Sequence, residues 1–373
     1  MSGVSQKVKA AKAAMSAKPK KEAFRQFLST GSTPLNLACA GRVNGGFPVG
    51  HYIYLVGDSN SGKSYLTMTC LAEAALKESF DNYRFIYDGP EGGALMDISK
   101  HFGREVARRL ESPRQDNKGR ALHSRTVQEW FYNVDTALSN KQPCIYILDS
   151  MDALDTDEDT KKFKQRKKAF ETGDDSKGSY GTSRAKTNSQ DMRKILGDLQ
   201  RTGSILIVIS QTRDRIGFGA QFDPKTRSGG RALSFYACIE IWSSVLKKLR
   251  VRYKGNKKQV GIICKCIVKR SRVTGQENEV EFPIHWSTGI DDVGACVDFL
   301  CKWKHWKTKA GEDDDRSINP EITVSEWGLT MKRESLVLKI EQEKLQKDVR
   351  ELVATVWREI EAAVAVKRER KYK

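Results

Sequence analysis

The sequence predicts an α/β fold with a mostly parallel central sheet, and its hydrophobic pattern supports this in two ways. Up to about residue 211, short apolar runs typical of buried strands alternate with segments of helical periodicity. Such alternation favours parallel strands with helices on both faces of the sheet. After residue 231, strand-like runs instead follow each other through short turns, which predicts an antiparallel β extension.

The individual elements are predicted from periodicity and from glycine and proline punctuation. Strands are predicted at residues 52–56, 84–88, 144–149, 204–211, 235–242, 245–253, 259–270 and 279–285. Helices are predicted at residues 5–28, 64–79, 94–102, 124–139, 189–201 and 328–369. Two polar, glycine-containing segments, 155–188 and 212–231, are predicted to be long loops, the first with room for one short helix.

Composition divides the chain into three predicted regions: a basic N-terminal helical assembly element at 1–30, an α/β core at 31–310, and an acidic linker with a charged helix at 311–373. In the last region, Leu338, Leu345 and Leu352 repeat every seven residues. That spacing fits a short coiled coil or an amphipathic helix docked on the body, and we favour the docked helix.

The formal net charge is +18 and the isoelectric point is near 9.5. Such an excess indicates a polyanionic partner, most simply nucleic acid, although a generally basic protein is the alternative. The eight cysteines form no C-x-x-C pair, so a zinc site is not expected. The N-terminus lacks the apolar stretch of a signal peptide, and no apolar run is long enough to cross a bilayer. We therefore expect a soluble intracellular protein with no membrane partner.

A phosphate-binding motif lies between the first core strand and the following helix. Residues 57–64 read G-D-S-N-S-G-K-S, which satisfies G-x-x-x-x-G-K-[ST]. The glycines allow backbone N–H groups to turn towards phosphate oxygens, and the helix N-terminus adds a favourable dipole. Lys63 would reach the β- and γ-phosphates, and the Ser64 hydroxyl would bind Mg²⁺. The predicted ATP contacts are Gly57, Asp58, Ser59, Asn60, Ser61, Gly62, Lys63, Ser64 and Tyr65.

Acidic side chains at the ends of two further strands complete a candidate site for phosphate chemistry. Asp149 ends an apolar strand, as the acid that holds Mg²⁺ does in such proteins, although a helix cap is the alternative. A carboxylate must also orient the attacking water. Asp88 and Glu91 both follow the second strand, and their positions alone do not decide between them.

Several segments resemble the RecA recombinases, and more closely their phage strand-exchange relatives (UvsX-like proteins). The resemblance runs from about Ser29 to Trp306. It is carried by residues 30–38 and 45–50 before the phosphate loop, by 87–92, by 147–150, and by 204–211. Residues 232–237 and 260–270 resemble the late strands of the family. This sequence departs from the family pattern at Gly89 and Pro90, where the family usually has one small residue. Asp88 therefore stays an alternative to Glu91.

The resemblance implies roles for particular residues. Glu91 corresponds to the glutamate that activates water, and Gln211 to the glutamine that senses the γ-phosphate. Lys269 and Arg270, with Arg272 close behind, correspond to cations that reach the ATP of a neighbouring subunit. The predicted catalytic residues are thus Glu91, Lys63 and Gln211, and the Mg²⁺ ligands are Ser64 and Asp149.

The two long loops correspond to the family's DNA-binding loops, L1 at 170–188 and L2 after Gln211. Cations in these loops would neutralise phosphates, and an apolar side chain such as Ile216 or Phe218 would insert between bases. A solvated charged loop is the alternative reading of each. The residues predicted to contact DNA are Lys177, Arg184, Lys186, Arg213, Arg215, Phe218, Lys225, Arg227 and Arg231.

The resemblance implies a DNA-dependent ATPase that forms a helical homo-oligomeric filament on single-stranded DNA and pairs it with a homologous duplex. The N-terminal element would dock on the next subunit or bind DNA. A mediator or single-strand-binding protein is a further partner, and the bacterial cytoplasm, or the host cytoplasm for a phage protein, is the expected location. The alternatives are a RecA-type hexameric helicase and an ATP-binding filament or annealing protein with little turnover.

Overall fold

The computed structural model describes residues 26–93, 96–172, 183–214, 225–227, 230–309 and 319–368. The strands are β1 (Phe27–Leu28), β2 (Phe47–Pro48), β3 (Tyr52–Gly57), β4 (Arg84–Asp88), β5 (Leu110–Glu111), β6 (Arg114–Gln115), β7 (Ala121–Leu122), β8 (Cys144–Leu148), β9 (Ile205–Asp214), β10 (Lys225–Arg227), β11 (Ile239–Tyr253), β12 (Asn256–Ser271), β13 (Asn278–His285), β14 (Gly289–Ile290), β15 (Lys307–Lys309), β16 (Glu321–Val324) and β17 (Leu329–Lys332).

The described α-helices are α1 (Thr33–Ala40), α2 (Lys63–Ala75), α3 (Ile98–Phe102), α4 (Arg104–Arg109), α5 (Val127–Ser139), α6 (Asp157–Thr172), α7 (Ser183–Thr202), α8 (Gly230–Tyr236), α9 (Asp292–Lys302), α10 (Arg333–Gln342) and α11 (Gln346–Val364). Within this described part, none of the helices combines the length and the apolar character needed to cross a bilayer.

The central sheet has the strand order β14-β13-β12-β11-β3-β9-β8-β4-β5, and β10 pairs with β9. The six strands from β11 to β5 in this order are parallel to their neighbours, whereas β12, β13 and β14 pair antiparallel. A mostly parallel sheet with an antiparallel extension is therefore confirmed. The chain leaves β3, crosses two strand positions to β4, and fills them later with β8 and β9.

Successive residues of β3 point to opposite faces of the sheet, as the period of a strand requires. Ile53 and Leu55 pack in one apolar cluster with residues of α1 and α2. Tyr52, Tyr54 and Val56 pack in another with residues of α5 and α7. Helices therefore cover both faces, which explains why the strand reads as a continuous apolar run.

A third apolar cluster joins the C-terminal region to α9, and includes buried residues of β16, α10 and α11. The prediction of one helix at 328–369 was wrong in detail. Leu329–Lys332 pairs with β16, and the helical part is broken after Gln342, where Lys344 has a φ of 57°. Because Val353 is fully buried in the cluster, the structure favours the docked helix over the coiled coil.

Several other sequence predictions need correction. Residues 5–25 of the helix predicted at 5–28 lie outside the described residues. Phe27–Leu28 is a strand paired with β2 instead of the end of a helix, because both side chains pack against the core. Residues 157–172 of the predicted loop are a 16-residue helix, and α7 begins at Ser183. The loop prediction relied on the polarity of this segment. Many of its charged residues have good helix propensity, however, and the segment forms a helix.

In the late part of the core, residues 235–236 end α8 instead of starting a strand. The two strands predicted at 235–242 and 245–253 are one strand, β11, whose pairing with β12 continues through Ser243 and Ser244. Of the helix predicted at 94–102, residues 94 and 95 lie outside the described residues, and the helical part is the short α3, Ile98–Phe102, with α4 following after Gly103. The helix predicted at 64–79 ends at Ala75.

Candidate functional site

A tight loop joins the end of β3 to the start of α2. Asn60 and Gly62 have positive φ angles of 61° and 84°, a conformation that glycine adopts without steric cost. A Cβ on Gly57 would lie 2.3 Å from the backbone oxygen of Ser243 in the neighbouring strand, so this position accepts only glycine. No side chain among the described residues caps the N-terminus of α2. Its first backbone N–H groups therefore point out of the helix end with no internal partner.

Lys63 is buried inside this loop. Its ammonium donates hydrogen bonds to the carbonyl oxygens of Gly57, at 2.9 Å, and Asp58, at 2.6 Å. Burial lowers the pKa of Lys63 below its ordinary value, and the nearby carboxylates of Asp149 and Asp58 oppose that effect. A buried ammonium and an uncapped helix start fit the phosphates of a nucleotide.

The carboxyl ends of four parallel strands meet along one edge of the sheet. Gly57 at the end of β3 lies opposite Gln211 in β9. Leu148 in β8 lies opposite Val208 in β9 and Asp88 in β4. The residue after Leu148, Asp149, is therefore at the same edge as the phosphate loop. In open α/β sheets, ligands bind outside this edge where the strand order changes direction.

Asp149 and Ser64, the predicted Mg²⁺ ligands, both lie at this edge. Asp149 is partly exposed and accepts a hydrogen bond from the Tyr87 hydroxyl at 2.8 Å. Burial, and to a smaller extent Asp149, raise the pKa of Tyr87, which keeps this hydroxyl a donor. Ser64 is also partly exposed at the start of α2. A partly exposed serine hydroxyl and an aspartate at the same edge are oxygen donors of the kind that suit a phosphate-bound Mg²⁺.

Asp88 and Glu91 are separated clearly by the structure. Asp88 is fully buried, and its carboxylate accepts hydrogen bonds from the backbone N–H and hydroxyl of Ser124, at 2.9 and 2.5 Å, and from the Tyr146 hydroxyl, at 2.7 Å. Glu91 is exposed and accepts one hydrogen bond of 2.8 Å from Ser150. The geometry therefore gives Asp88 a structural position and leaves Glu91 facing the space at the sheet edge.

Gln211 is half-exposed beside the phosphate loop. Two acidic side chains hold the backbone around it. The hydroxyl of Thr212 donates to the carboxylate of Asp58 in the phosphate loop. Asp152, which follows β8, accepts hydrogen bonds from the Ser210 hydroxyl at 2.9 Å and from the Gln211 backbone N–H at 2.6 Å. Residues 210–212, at the start of the predicted L2 loop, are thus tied to the segments that follow both neighbouring strands.

Comparison with known proteins points to one family. Residues 166–291 match the model of the RecA N-terminal domain. The chain is 29% identical over 277 residues to the protein RecA of Synechocystis, which covers 74% of this chain and 68% of that protein. It is 28% identical to the protein RecA of Chlorobaculum parvum, covering 74% and 70%, and 29% identical to that of Paracoccus denitrificans, covering 74% and 67%.

These comparisons support the RecA family. The mixed α/β architecture, with its mostly parallel sheet and antiparallel extension, agrees with a RecA-like fold. The matched range 166–291 runs from α6 to β14 and so includes Gln211, whereas the phosphate loop lies before it.

The residues predicted to contact DNA fall partly within the described structure. Arg213 lies in β9, is exposed, and has a guanidinium nitrogen 3.7 Å from a carboxylate oxygen of Asp152. Of the other members, Arg184 and Lys186 lie in the first turn of α7, Lys225 and Arg227 in β10, and Arg231 in α8. Lys177, Arg215 and Phe218 lie outside the described residues. The prediction that all of 212–231 is loop was wrong, because β9 extends to Asp214 and pairs with β10.

The cations that the RecA resemblance assigns to a neighbouring subunit do not reach the phosphate loop of their own chain. Lys269 places its ammonium 4.2 Å from the ring centroid of Trp242. Arg270 donates to the carbonyl oxygen of Ser234 at 2.7 Å, and Arg272 donates to that of Phe235 at 2.6 Å. Both arginines therefore lie at the C-terminal end of α8, and a role at ATP stays a prediction about a second copy.

Sequence reasoning missed a tryptophan beside the phosphate loop. A pocket of about 590 Å³ adjoins the loop, and Ser64, Tyr65, Lys248, Gln259 and Trp286 are among the residues that line it. The Trp286 side chain is 50% exposed. It follows β13 directly, and no motif marks it, because only the pairing of β13 with β12 brings it to the loop. Ser150 and Asp152 were also missed, because no motif marks their roles and their contacts join segments that are distant in the sequence.

Proposed function

We propose that this chain is an ATP-dependent DNA recombinase that forms filaments on single-stranded DNA and exchanges strands with a homologous duplex. The observation that carries the proposal is the register between Gly57 and Gln211. It puts the root of the predicted DNA-binding loop L2 directly beside the start of the phosphate loop, so that a change at one reaches the other through a single strand pair. The support for the RecA family agrees with this function.

In this proposal, each group at the sheet edge has one task. The backbone N–H groups at the start of α2 and the Lys63 ammonium bind the β- and γ-phosphates. Ser64 and Asp149 hold Mg²⁺, which supplies neutralisation of phosphate charge. Glu91, held by the Ser150 hydroxyl, orients the attacking water. Trp286 offers an aromatic face in the pocket for the nucleotide base.

The proposal extends to partners and location. The loops L1 and L2 hold DNA through phosphate contacts, and base pairing between strands supplies sequence choice. Lys269 and Arg270 complete the ATP site of the next copy, which couples hydrolysis to filament assembly. A place in the bacterial or host cytoplasm, a mediator partner and the phage UvsX-like subtype belong to this proposal and rest on the segment resemblances.

The proposal is tested by ATP hydrolysis measured with and without single-stranded DNA, for the wild type, Glu91→Gln and the control Glu78→Gln. Glu78 is exposed and lies after α2, away from the sheet edge. We expect strong DNA stimulation in the wild type and the control. We expect Glu91→Gln to lose about 10²-fold or more in turnover, as loss of a general base does, with ATP affinity unchanged.

Two outcomes would contradict the proposal. Absence of stimulation by any DNA would exclude a recombinase and favour a filament protein with little turnover. Closed rings in electron micrographs with ATP and DNA, in place of open filaments, would favour a hexameric helicase. Full turnover in Glu91→Gln would leave the family intact but remove Glu91 as the water-orienting residue.

A further inference from the structure

A two-stranded ribbon projects beyond the central sheet on the side of the phosphate loop. Strand β11 pairs with β3 only as far as Ser243, and β12 pairs with β13 only from Gly261 onward. Between these limits, residues 250–258 are paired across the ribbon and turn at Lys254 and Gly255, both with positive φ. We call residues 250–258 the basic arm. Every one of its side chains is exposed.

The basic arm carries positive charge that no ion pair within the described part of the chain balances. Its cations are Arg250, Arg252, Lys254, Lys257 and Lys258. The chain has no Asp or Glu between Glu240 and Glu277. Among the ion pairs of the described residues, none involves these five cations. The arm is therefore a concentrated, exposed cationic surface.

The pairing within the arm makes this charge costly in the isolated protein. Arg252 lies directly opposite Lys257 in the ladder. Like charges at directly opposed positions destabilise a strand pair, and a ribbon with no third strand has little other support. An anion bound between the two cations would remove the repulsion. A polyanion with regularly spaced charges would do the same for the neighbouring cations.

The other face of the arm has a different character. Val251 and Tyr253 are 54% and 69% exposed, and they alternate along β11 with the two arginines. Tyr253 is paired with Asn256 at the turn, and the Lys254 ammonium lies 5.5 Å from its ring centroid. Exposed aromatic rings beside cations are the features with which proteins stack unpaired bases. A two-stranded ribbon also has the width that the DNA major groove admits.

We propose that the basic arm binds the phosphate backbone of DNA, as a contact surface separate from loops L1 and L2. The choice of DNA as the polyanion rests on the proposed function, whereas the anionic character of the partner rests on the arm alone. Each arm cation that neutralises a phosphate releases a condensed counterion, so the contact makes binding more sensitive to salt.

The test compares the full-length wild type with the triple variant Arg252→Ser, Lys257→Ser, Lys258→Ser. A matched control removes three exposed lysines of β15, β17 and α11, Lys307→Ser, Lys332→Ser and Lys347→Ser, and so has the same net charge as the arm variant. Affinity for a single-stranded and a duplex oligonucleotide is measured by fluorescence anisotropy at several salt concentrations. Circular dichroism and ATP binding verify that each variant is folded.

For the arm variant, we expect affinity to fall by about tenfold and the slope of log K against log salt to flatten by about 2 to 3 on duplex. The control should keep the wild-type slope. A loss on duplex alone identifies the groove of double-stranded DNA as the ligand. A loss on single strands, reproduced in part by Tyr253→Ala, identifies unpaired DNA with base stacking.

Equal slopes and affinities for the arm variant and the control would overturn the proposal. So would a loss of DNA-free self-association, measured by sedimentation, in the arm variant with no change in DNA binding, because the arm would then contact a second copy. These outcomes differ from failure of the proposed function. If the wild type binds DNA through the arm but DNA does not stimulate ATP hydrolysis, the recombinase proposal fails and the arm proposal stands; if the wild type binds no DNA, both fail.

Discussion

The backbone N–H of Gln211 donates a hydrogen bond of 2.6 Å to the carboxylate of Asp152. Asp152 lies three residues after Asp149, so one short segment carries both the predicted Mg²⁺ ligand and the anchor of the predicted γ-phosphate sensor. The same carboxylate accepts from the Ser210 hydroxyl and lies 3.7 Å from Arg213. This carboxylate therefore fixes the backbone of β9 at the point where the predicted L2 segment begins.

Replacement of Asp152 by alanine should loosen this anchor without removing any group predicted to touch ATP. We expect Asp152→Ala to lower the free energy of unfolding by about 1–3 kcal/mol, because it leaves two donors without their acceptor. We also expect weaker DNA stimulation of ATP hydrolysis with little change in ATP affinity. Urea unfolding and ATPase assays measure both effects, and the exposed Glu158→Gln is the matched control. Unchanged stimulation would show that the anchor has no part in coupling.

A second prediction concerns Asp88, whose carboxylate is enclosed by donors from Ser124 and Tyr146. Asp88→Ala should destabilise the protein by about 3 kcal/mol or more, because several buried donors lose their only shared acceptor. Glu91→Ala should change stability by less than about 0.5 kcal/mol, because Glu91 is exposed. Thermal or urea unfolding measures the contrast. A stable Asp88→Ala variant that has lost only turnover would restore Asp88 as the water-orienting residue.

The sequence predicted the parallel core well, because each buried strand is a short apolar run between clear breaks. Such runs predict the strands at 52–57 and 84–88. Together with one specific motif, they also predict which site residues lie at the strand ends, from Gly57 to Gln211. It did not predict the helix at 157–172, which is polar on almost every side. A polar helix and a polar loop have the same composition, and periodicity cannot separate them when no face is apolar.

Of the candidate site, the sequence could predict residues that belong to a local motif or a strand end, such as Lys63 and Asp149. It could not predict Ser150, Asp152 or Trp286, since their contacts join segments between about 20 and 220 residues apart and depend on strand order and register. It also could not separate Asp88 from Glu91. Burial decides between them, and burial follows from the position of Ser124 and Tyr146 around one carboxylate.

A third prediction concerns the nucleotide pocket. If the base stacks on Trp286, nucleotide binding should change the fluorescence of that indole, and Trp286→Ala should weaken ATP binding by about 5- to 30-fold, the equivalent of about 1–2 kcal/mol. Because the chain has seven tryptophans, the signal is assigned by its loss in Trp286→Phe. Trp303→Phe is the control, since Trp303 is 49% exposed but lies at the end of α9. A nucleotide-dependent signal that persists in Trp286→Phe would place the base elsewhere.

A fourth prediction compares two glycines under the same substitution. A Cβ at Gly57 would meet the Ser243 backbone oxygen at 2.3 Å, whereas a Cβ at Gly197 in α7 would meet nothing within 4 Å. Gly57→Ala should destabilise the protein by about 1–3 kcal/mol and abolish ATP binding, because β3 and β11 must move apart. Gly197→Ala should stabilise it by about 0.5–1 kcal/mol, as alanine does inside an exposed helix. Urea unfolding tests both, and equal effects of the two substitutions would contradict the close approach of the strands.

The last prediction concerns the C-terminal helices and the heptad leucines. Val353 is fully buried in the cluster with α9, whereas Leu338 is 55% exposed. Val353→Ala should cost about 2 kcal/mol, from the lost burial of two methyl groups and the cavity that remains. Leu338→Ala should cost less than about 0.5 kcal/mol. In a coiled coil built on the leucine repeat, Leu338 would be the more sensitive position and its loss would reduce self-association. Unfolding curves and sedimentation of the two variants therefore distinguish a helix docked on its own chain from one that joins two copies.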